Sequence, residues 1–241
     1  MRIPRIYTPQ ALSEHTDIEL DTAAANHVAK VLRMKAGRKL FVFNGETEHH
    51  FEASIKVVER KVVRIALTKR IATHLESPLH IHLGQAISKG DRFEFAIQKA
   101  VELGVNEITP LWTEHCDVKL NSERLDKKMR QWRQIAIAAC EQSGRDVLPT
   151  IHPASQFEPW LENVEADEKW VLDPRGLAQG HAKHASNACV LVGPEGGFSD
   201  QEVALACSKQ FKAKLIGPRI LRTETAALTA VCLMQNLWGD F

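Results

Sequence analysis

The sequence has little that would tie it to an oxidising compartment, a bilayer or a nucleotide phosphate. Its 241 residues include only five cysteines, Cys116, Cys140, Cys189, Cys207 and Cys232. They are scattered, odd in number and form no CxxC pair, which argues against both a disulfide framework and a structural zinc site, so they read as small core residues. No metal is expected. No apolar run nears the roughly 18 residues of a membrane span, and the opening MRIPRIYTPQ lacks the apolar stretch of a signal peptide. The expected location is therefore the cytoplasm, with no membrane contact. There is no GxxxxGK[ST] for a triphosphate and no GxGxxG after a strand, so a nicotinamide oxidoreductase lacks its fingerprint. Internal repeats and low-complexity tracts are also missing.

Charge is nearly balanced at +1, but unevenly distributed. Through Ala72 there are 13 Lys and Arg against 8 Asp and Glu, and the remainder carries 18 against 22. A small basic unit joined to a mildly acidic larger one suits a polyanion partner for the first, and equally suits plain solvated surface. At 44% hydrophobic residues the chain has ample material for a core, and its length suits two modest domains or one large one.

Up to about residue 70, KLFVFNGE, HHFEASIKVV and KVVRIALTKR alternate apolar with polar residues as half-buried strands do. Asn44 and Gly45 mark a tight turn between two of them. One helical segment, TAAANHVAKVLRM, interrupts, with Ala24, Val28, Val31 and Leu32 at helical spacing and Arg33, Lys35, Arg38 and Lys39 just beyond. A small, mostly β barrel is expected over residues 1–72. IATHLESPLH then reads as a linker, because Pro78 drives Ser77 out of helix. From His80 the pattern becomes alternating strands (IHLGQAI, EITPLWT, KWVLDP, ACVLVG, AKLIG) and helices. One helix opens at Asp91, with Glu94 as capping-box partner, and stops at Gly104; another opens at Ser122; two more cover about 200–210 and 223–238. On the long second helix Leu125, Met129, Trp132, Ala136 and Ala139 share a side, so Trp132 reads as core or interface rather than a base-stacking platform. An α/β domain is expected over residues 73–241, its mainly parallel sheet covered by helices on both faces.

Ligands of such sheets sit outside the carboxyl ends of the strands, where loops lead into helices. LVGPEGGFSDQE, residues 191–202, occupies such a place. Gly193, Gly196 and Gly197 leave backbone bare, Pro194 stiffens the turn, and Ser199 with Glu202 caps the next helix. LIGPRILRTETAALTA, residues 215–230, repeats the grammar. It adds Arg219 and Arg222, the Glu224 carboxylate and the Thr223 and Thr225 hydroxyls at the mouth of the last helix. One glycine corner is as readily structural as ligand-binding, and a first-turn carboxylate can simply complement the helix dipole. Two corners in succession point to a composite pocket, which need not be one built for phosphate.

With both loops in order after a small β unit, the chain resembles the RsmE family of 16S ribosomal RNA (uracil-N3) methyltransferases, of the SPOUT class, over nearly its whole length. GPEGGFSDQE (193–202) and GPRILRTETAAL (217–228) carry the resemblance, supported by QKAVELGVNEITPL (98–111), IAACEQSGR (137–145) and RIPRIY. It implies a PUA-like RNA-binding barrel over 1–72 and a methyltransferase domain over 73–241 with a C-terminal trefoil knot. It further implies S-adenosyl-L-methionine as cofactor, a homodimer, and the 16S RNA of the small ribosomal subunit as substrate. The cofactor residues carried over are Leu172, Gly193, Pro194, Glu195, Gly196, Gly197, Ile216, Gly217, Leu221, Arg222 and Thr223. At His115 many relatives carry arginine, so no RNA-contact role is carried over and it reads as a satisfied surface or interface histidine.

Methylation at N3 requires removal of a weakly acidic imide proton from a base that is unpaired when it reacts. Glu224 is the candidate base or orienting carboxylate, and Arg222 the candidate stabiliser of charge on the uracil oxygens. Arg2, Arg5, Arg33, Lys35, Arg38 and Arg145 are the candidate RNA contacts. The rival reading is a non-catalytic RNA-binding or ribosome-assembly factor on the same scaffold, against which the intact glycine loops and the RTET segment speak.

Overall fold

The computed structural model describes residues 3–59, 62–118, 120–177 and 180–241. The chain divides into two compact units, Met1–Glu76 with Ile137–Leu148, and Ser77–Ala136 with Pro149–Phe241. Residues 137–148 thus pack in the first unit, whereas the sequence reading counts them with the second domain.

In the first unit, β1 (Arg5–Tyr7), β2 (Asp17–Glu19), β3 (Lys39–Phe43), β4 (His49–Val58) and β5 (Val63–Ala72) form one sheet in the order β1-β3-β4-β5-β2. The β1–β3 pairing is parallel and the other strand pairings of this sheet are antiparallel. Alternation sends Phe51, Ala53 and Ile55 of β4 and Val63, Ile65 and Leu67 of β5 into a core shared with Leu40 and Val42. Asp21 caps α1 (Thr22–Asn26) by accepting from the amides of Ala23 and Ala24. The helix then widens into a π turn, His27–Val31. That widening breaks the expected helical register: Ala24 and Val28 stay buried, but Val31 is 69% exposed and Leu32 is also exposed.

The second unit has a sheet in the order β12-β10-β11-β6-β7-β8, parallel throughout, with β9 off this path on β7. Its strands are β6 (His80–Ala86), β7 (Glu107–Trp112), β8 (Thr150–Ile151), β9 (Ser155–Gln156), β10 (Glu168–Leu177), β11 (Asn187–Val192) and β12 (Lys212–Lys214). The helices are α2 (Arg92–Glu102), α3 (Ser122–Ser143, whose last turns belong to the first unit), α4 (Phe157–Asn163), α5 (Asp200–Ser208) and α6 (Thr223–Trp238). β6 and β11 are almost continuously buried, as a sheet covered on both faces requires. On one face Phe157, Trp160 and Leu161 of α4 pack with Leu191, Phe198 and Phe211. Trp132 is core, its ring 4.5 Å from that of Phe93. Gln235 of α6 donates to the Leu103 carbonyl at 2.8 Å and accepts from Ser77 at 2.6 Å, tying α6 to the end of α2.

Two local expectations differ from what is found. Asp91 sits in the helical region without a side-chain cap bond, so no capping box forms with Glu94. Glu94 is drawn instead to Lys128 and Gln131 of α3, at 2.7 and 2.8 Å. The segment α4, with β8 and β9, has no counterpart in the sequence reading. Among the described residues no helix is long and apolar enough to cross a membrane.

Candidate active site

The strand order reverses between β6 and β11, and the chain leaves the carboxyl ends of β10, β11 and β12 on one side of that switch point, where open α/β sheets bind ligands. β11 runs straight into the first glycine corner. A Cβ on Gly193 would lie 3.1 Å from the Gly197 carbonyl carbon and 3.2 Å from the Phe198 nitrogen, so a side chain there would press on the corner's own backbone. Gly197 has φ +70°, which an L side chain rarely adopts, and its amide closes the turn onto the Pro194 carbonyl at 2.9 Å. Beyond it the predicted capping box forms: the Glu202 amide donates to Ser199 Oγ at 3.3 Å, and the Ser199 amide to Glu202 Oε2 at 2.9 Å.

The second corner joins β12 to α6, and Thr223, the first residue of α6, locks the two corners together. Its hydroxyl donates to the Gly193 carbonyl at 2.6 Å and accepts from Gln85 Nε2 of β6 at 3.0 Å. Thr223 is 7% and Gln85 1% exposed, so this chain of bonds is shielded from water. Between the corners lies a cavity of about 920 Å³, at the upper end of the range for small-molecule sites.

Ten of the eleven predicted cofactor residues line that cavity: Leu172, Gly193, Pro194, Glu195, Gly196, Gly197, Ile216, Leu221, Arg222 and Thr223. Gly217 shapes the second corner with φ +67° without forming wall. Arg222 is exposed on the wall at the N-cap of α6, where no side chain caps the helix. Glu224 stands two residues further on, off the wall; its Oε2 is buried and has no hydrogen-bond partner among the described residues.

The wall also includes residues that sequence reasoning did not assign. His115 Nδ1 lies 3.2 Å from both the Gly196 and Gly197 carbonyls, so an N–H there steadies the corner; the histidine is satisfied, as expected, and also lines the pocket. Asp173 is gripped by Arg175, whose Nε donates at 3.0 Å and which also pairs with Asp200. Burial raises the Asp173 pKa, but the Arg175 hydrogen bonds and charge outweigh it and hold the carboxyl below the usual range. Lys214 points an ammonium at the Gly180 carbonyl, 3.1 Å away; burial lowers its pKa, with Glu168 opposing. Composition marks none of these three: Asp173 and Lys214 are placed by strand register and His115 by the turn that follows β7.

The predicted RNA contacts separate into groups. Arg2 lies outside the described residues. Arg5 and Arg145 are not free to meet phosphate. Arg5 is paired with Asp146, close to His50 and stacked on Phe43, while Arg145 forms a two-pronged bridge to Glu76 at 2.5 and 3.0 Å. Asp146 has a fully buried side chain that also accepts from Thr73 at 2.7 Å, so the expected RNA role for these two arginines gives way to an internal ion network. Arg33, Lys35 and Arg38 are exposed beside Val31 and Leu32.

A second cluster of titratable groups sits near the start of β6 and β7, off the cavity wall. His82, Glu107 and His152 converge there, with His80 beside them. Burial pushes the His82 imidazole down to about 4, Glu107 opposing and His152 and His80 adding to the shift. Burial raises the Glu107 pKa, but the His152 hydrogen bond and the imidazole charges hold it low.

Known proteins share this architecture. The RNA methyltransferase domain model matches residues 75–235, and the RNA methyltransferase PUA domain model matches residues 20–61. The chain is 39% identical, over 99% of its length and 98% of the relative's, to the ribosomal RNA small subunit methyltransferase E of Buchnera aphidicola from Schizaphis graminum. Among solved structures, a Legionella pneumophila methyltransferase with bound cofactor SAM superposes at TM-score 0.96 with 41% identity, covering all of both chains. A ribosomal RNA small subunit methyltransferase E of Neisseria gonorrhoeae bound to S-adenosyl methionine superposes at 0.91 with 38% identity, again over both full chains. The two domain models fall on the β unit and on the parallel-sheet unit, these relatives match along their full length, and the chain therefore belongs to the RNA methyltransferase family, among the small-subunit ribosomal RNA methyltransferases E.

Proposed function

We propose that the protein transfers a methyl group from S-adenosyl-L-methionine to N3 of a uridine in the 16S RNA of the small ribosomal subunit. The observation that carries this is the Thr223 hydroxyl on the Gly193 carbonyl, which holds two corners thirty positions apart in sequence as one slot. The residues present fit the cofactor: the Gly193 and Gly197 backbone is bare and the slot has the volume for an adenosyl group. Leu172, the segment 193–197, Ile216, Gly217, Leu221, Arg222 and Thr223 would hold it. When bound it supplies an electrophilic methyl carbon on a sulfonium.

The protein's own task is then placement and charge. Holding nucleophile and carbon in line can lower a barrier by up to roughly 7–11 kcal/mol. Arg222, exposed on the wall, stabilises negative charge spreading onto the uracil oxygens. Glu224 accepts the N3 proton or orients the base; its buried, unpartnered Oε2 is an acceptor in want of a donor. The basic unit over 1–72 contacts RNA phosphates through Arg33, Lys35 and Arg38, and the domain over 73–241 carries the chemistry. A C-terminal trefoil knot, a homodimer and a cytoplasmic location complete the reading. The test incubates the protein with labelled methyl donor and unmodified small subunits and maps the modified nucleotide. Label at a single uridine N3 is expected, and absence of label sinks the assignment.

A further inference from the structure

The sequence LHIHLG places two histidines two residues apart on a strand, and the period of two puts His80 and His82 on the same face of β6. Parallel pairing sets His82 opposite Glu107 of β7, and Glu107 opposite Thr150 of β8, so that His152, just past β8, joins the same spot. The His152 amide donates to the Ile108 carbonyl at 2.9 Å, which fixes its backbone. Three strands thus deliver three donors to one point.

The atoms are arranged as ligands. His152 Nε2 lies 2.5 Å and His82 Nδ1 3.9 Å from Glu107 Oε2, and one donor atom from each of the three residues falls within 4.8 Å of the others. A tetrahedral ion with bonds of about 2.0–2.1 Å needs ligand atoms about 3.3 Å apart, so modest side-chain rotation closes the site. The surroundings orient each ligand. Thr109 Oγ1 lies 2.8 Å from His82 Nε2; in the tautomer in which that nitrogen donates to it, the Nδ1 lone pair is left for a ligand role. His80 Nε2 sits 3.2 Å from the other Glu107 oxygen, and the Trp160 ring stands edge-on to His82 with centroids 5.3 Å apart, forming an apolar wall.

We propose that His82, Glu107 and His152 form a binding site for a zinc-type divalent transition-metal ion, which clamps β6, β7 and β8 together near the start of the strands. Two imidazoles and one carboxylate are a zinc-like donor set, with water in the fourth place; magnesium and calcium, which prefer oxygen, are poorly served. None of the three residues lines the methyl-transfer cavity, so the ion's role is structural.

The test uses untagged full-length protein stripped with chelator, titrated calorimetrically with zinc chloride, and in parallel with cobalt(II) read by visible absorption. One equivalent of zinc, a tetrahedral cobalt spectrum and a raised melting temperature are expected. His152→Gln and Glu107→Gln should each abolish the stoichiometric step. Thr109→Val, which removes only the orienting partner, should weaken zinc roughly 10- to 100-fold. Circular dichroism verifies that the variants fold, and the half-exposed His152 gives a second route if Glu107→Gln unfolds. No stoichiometric binding by the parent protein, or equal binding by folded His152→Gln, overturns the inference.

Discussion

Replacing Thr223 by valine removes one oxygen and almost no volume. Two groups lose a partner: the Gly193 carbonyl that the hydroxyl meets at 2.6 Å and the Gln85 Nε2 that it meets at 3.0 Å. Both bonds are buried, so water cannot step in without opening the corner. An unsatisfied buried polar group costs about 1–3 kcal/mol, so the pair should lower unfolding stability by about 2–4 kcal/mol, with some relief from Gln85 turning. The same bonds hold together the slot proposed for the cofactor. If about 2 kcal/mol of that loss falls on the slot, S-adenosyl-L-methionine affinity should drop roughly 30-fold. Urea unfolding followed by far-ultraviolet circular dichroism measures the first effect, and calorimetric titration with the cofactor the second. Thr223→Ser keeps the hydroxyl and should remain within about 1 kcal/mol of the parent, losing only the methyl contacts. A valine variant with parental stability and parental affinity would show that the threonine does not lock the corners, and the composite-slot argument would fall.

Glu224→Gln should cut methyl transfer roughly 100-fold or more while leaving cofactor affinity nearly intact, because the carboxylate lies off the cofactor wall; unchanged single-turnover rates would remove Glu224 from the chemistry. Neutralising Arg33, Lys35 and Arg38 together to Gln should flatten the salt dependence of RNA binding by about 2 in log–log slope, at roughly 0.7 per single-strand phosphate contact, and parallel slopes for variant and parent would reject these contacts. Burial raises the Asp146 pKa, but hydrogen bonds from His50, Thr73 and Arg5 hold it below its unfolded value. Stability from this carboxylate is therefore present above about pH 4, the unfolded value, and is lost as pH falls through the lower folded value. Asp146→Asn should cost about 3–5 kcal/mol at neutral pH by stranding Arg5, and should flatten acid unfolding below about pH 4; an acid limb identical to the parent's in equilibrium melts would contradict the network.

The sequence reading went furthest where the signal is local. The Ser199–Glu202 capping box and the span of α6 were legible because caps and helical periodicity are set within a few neighbouring residues. The Asp91–Glu94 box has the same local spelling and does not form, because Lys128 and Gln131, more than thirty positions away, compete for Glu94. Arg5 and Arg145 looked like phosphate contacts because a basic residue's charge is visible in sequence and its partner is not. Their carboxylates, Asp146 and Glu76, come from distant positions in the chain.

The sequence by itself determined which backbone corners carry no side chains, which strands are buried on both faces, and which half is basic. These follow from residue type and spacing alone. Only the tertiary structure decided that Thr223 meets Gly193, that Glu224 stands off the wall, and that His82, Glu107 and His152 converge. Each of those depends on strand order and parallel register, where a shift of one residue sends a side chain to the opposite face of the sheet.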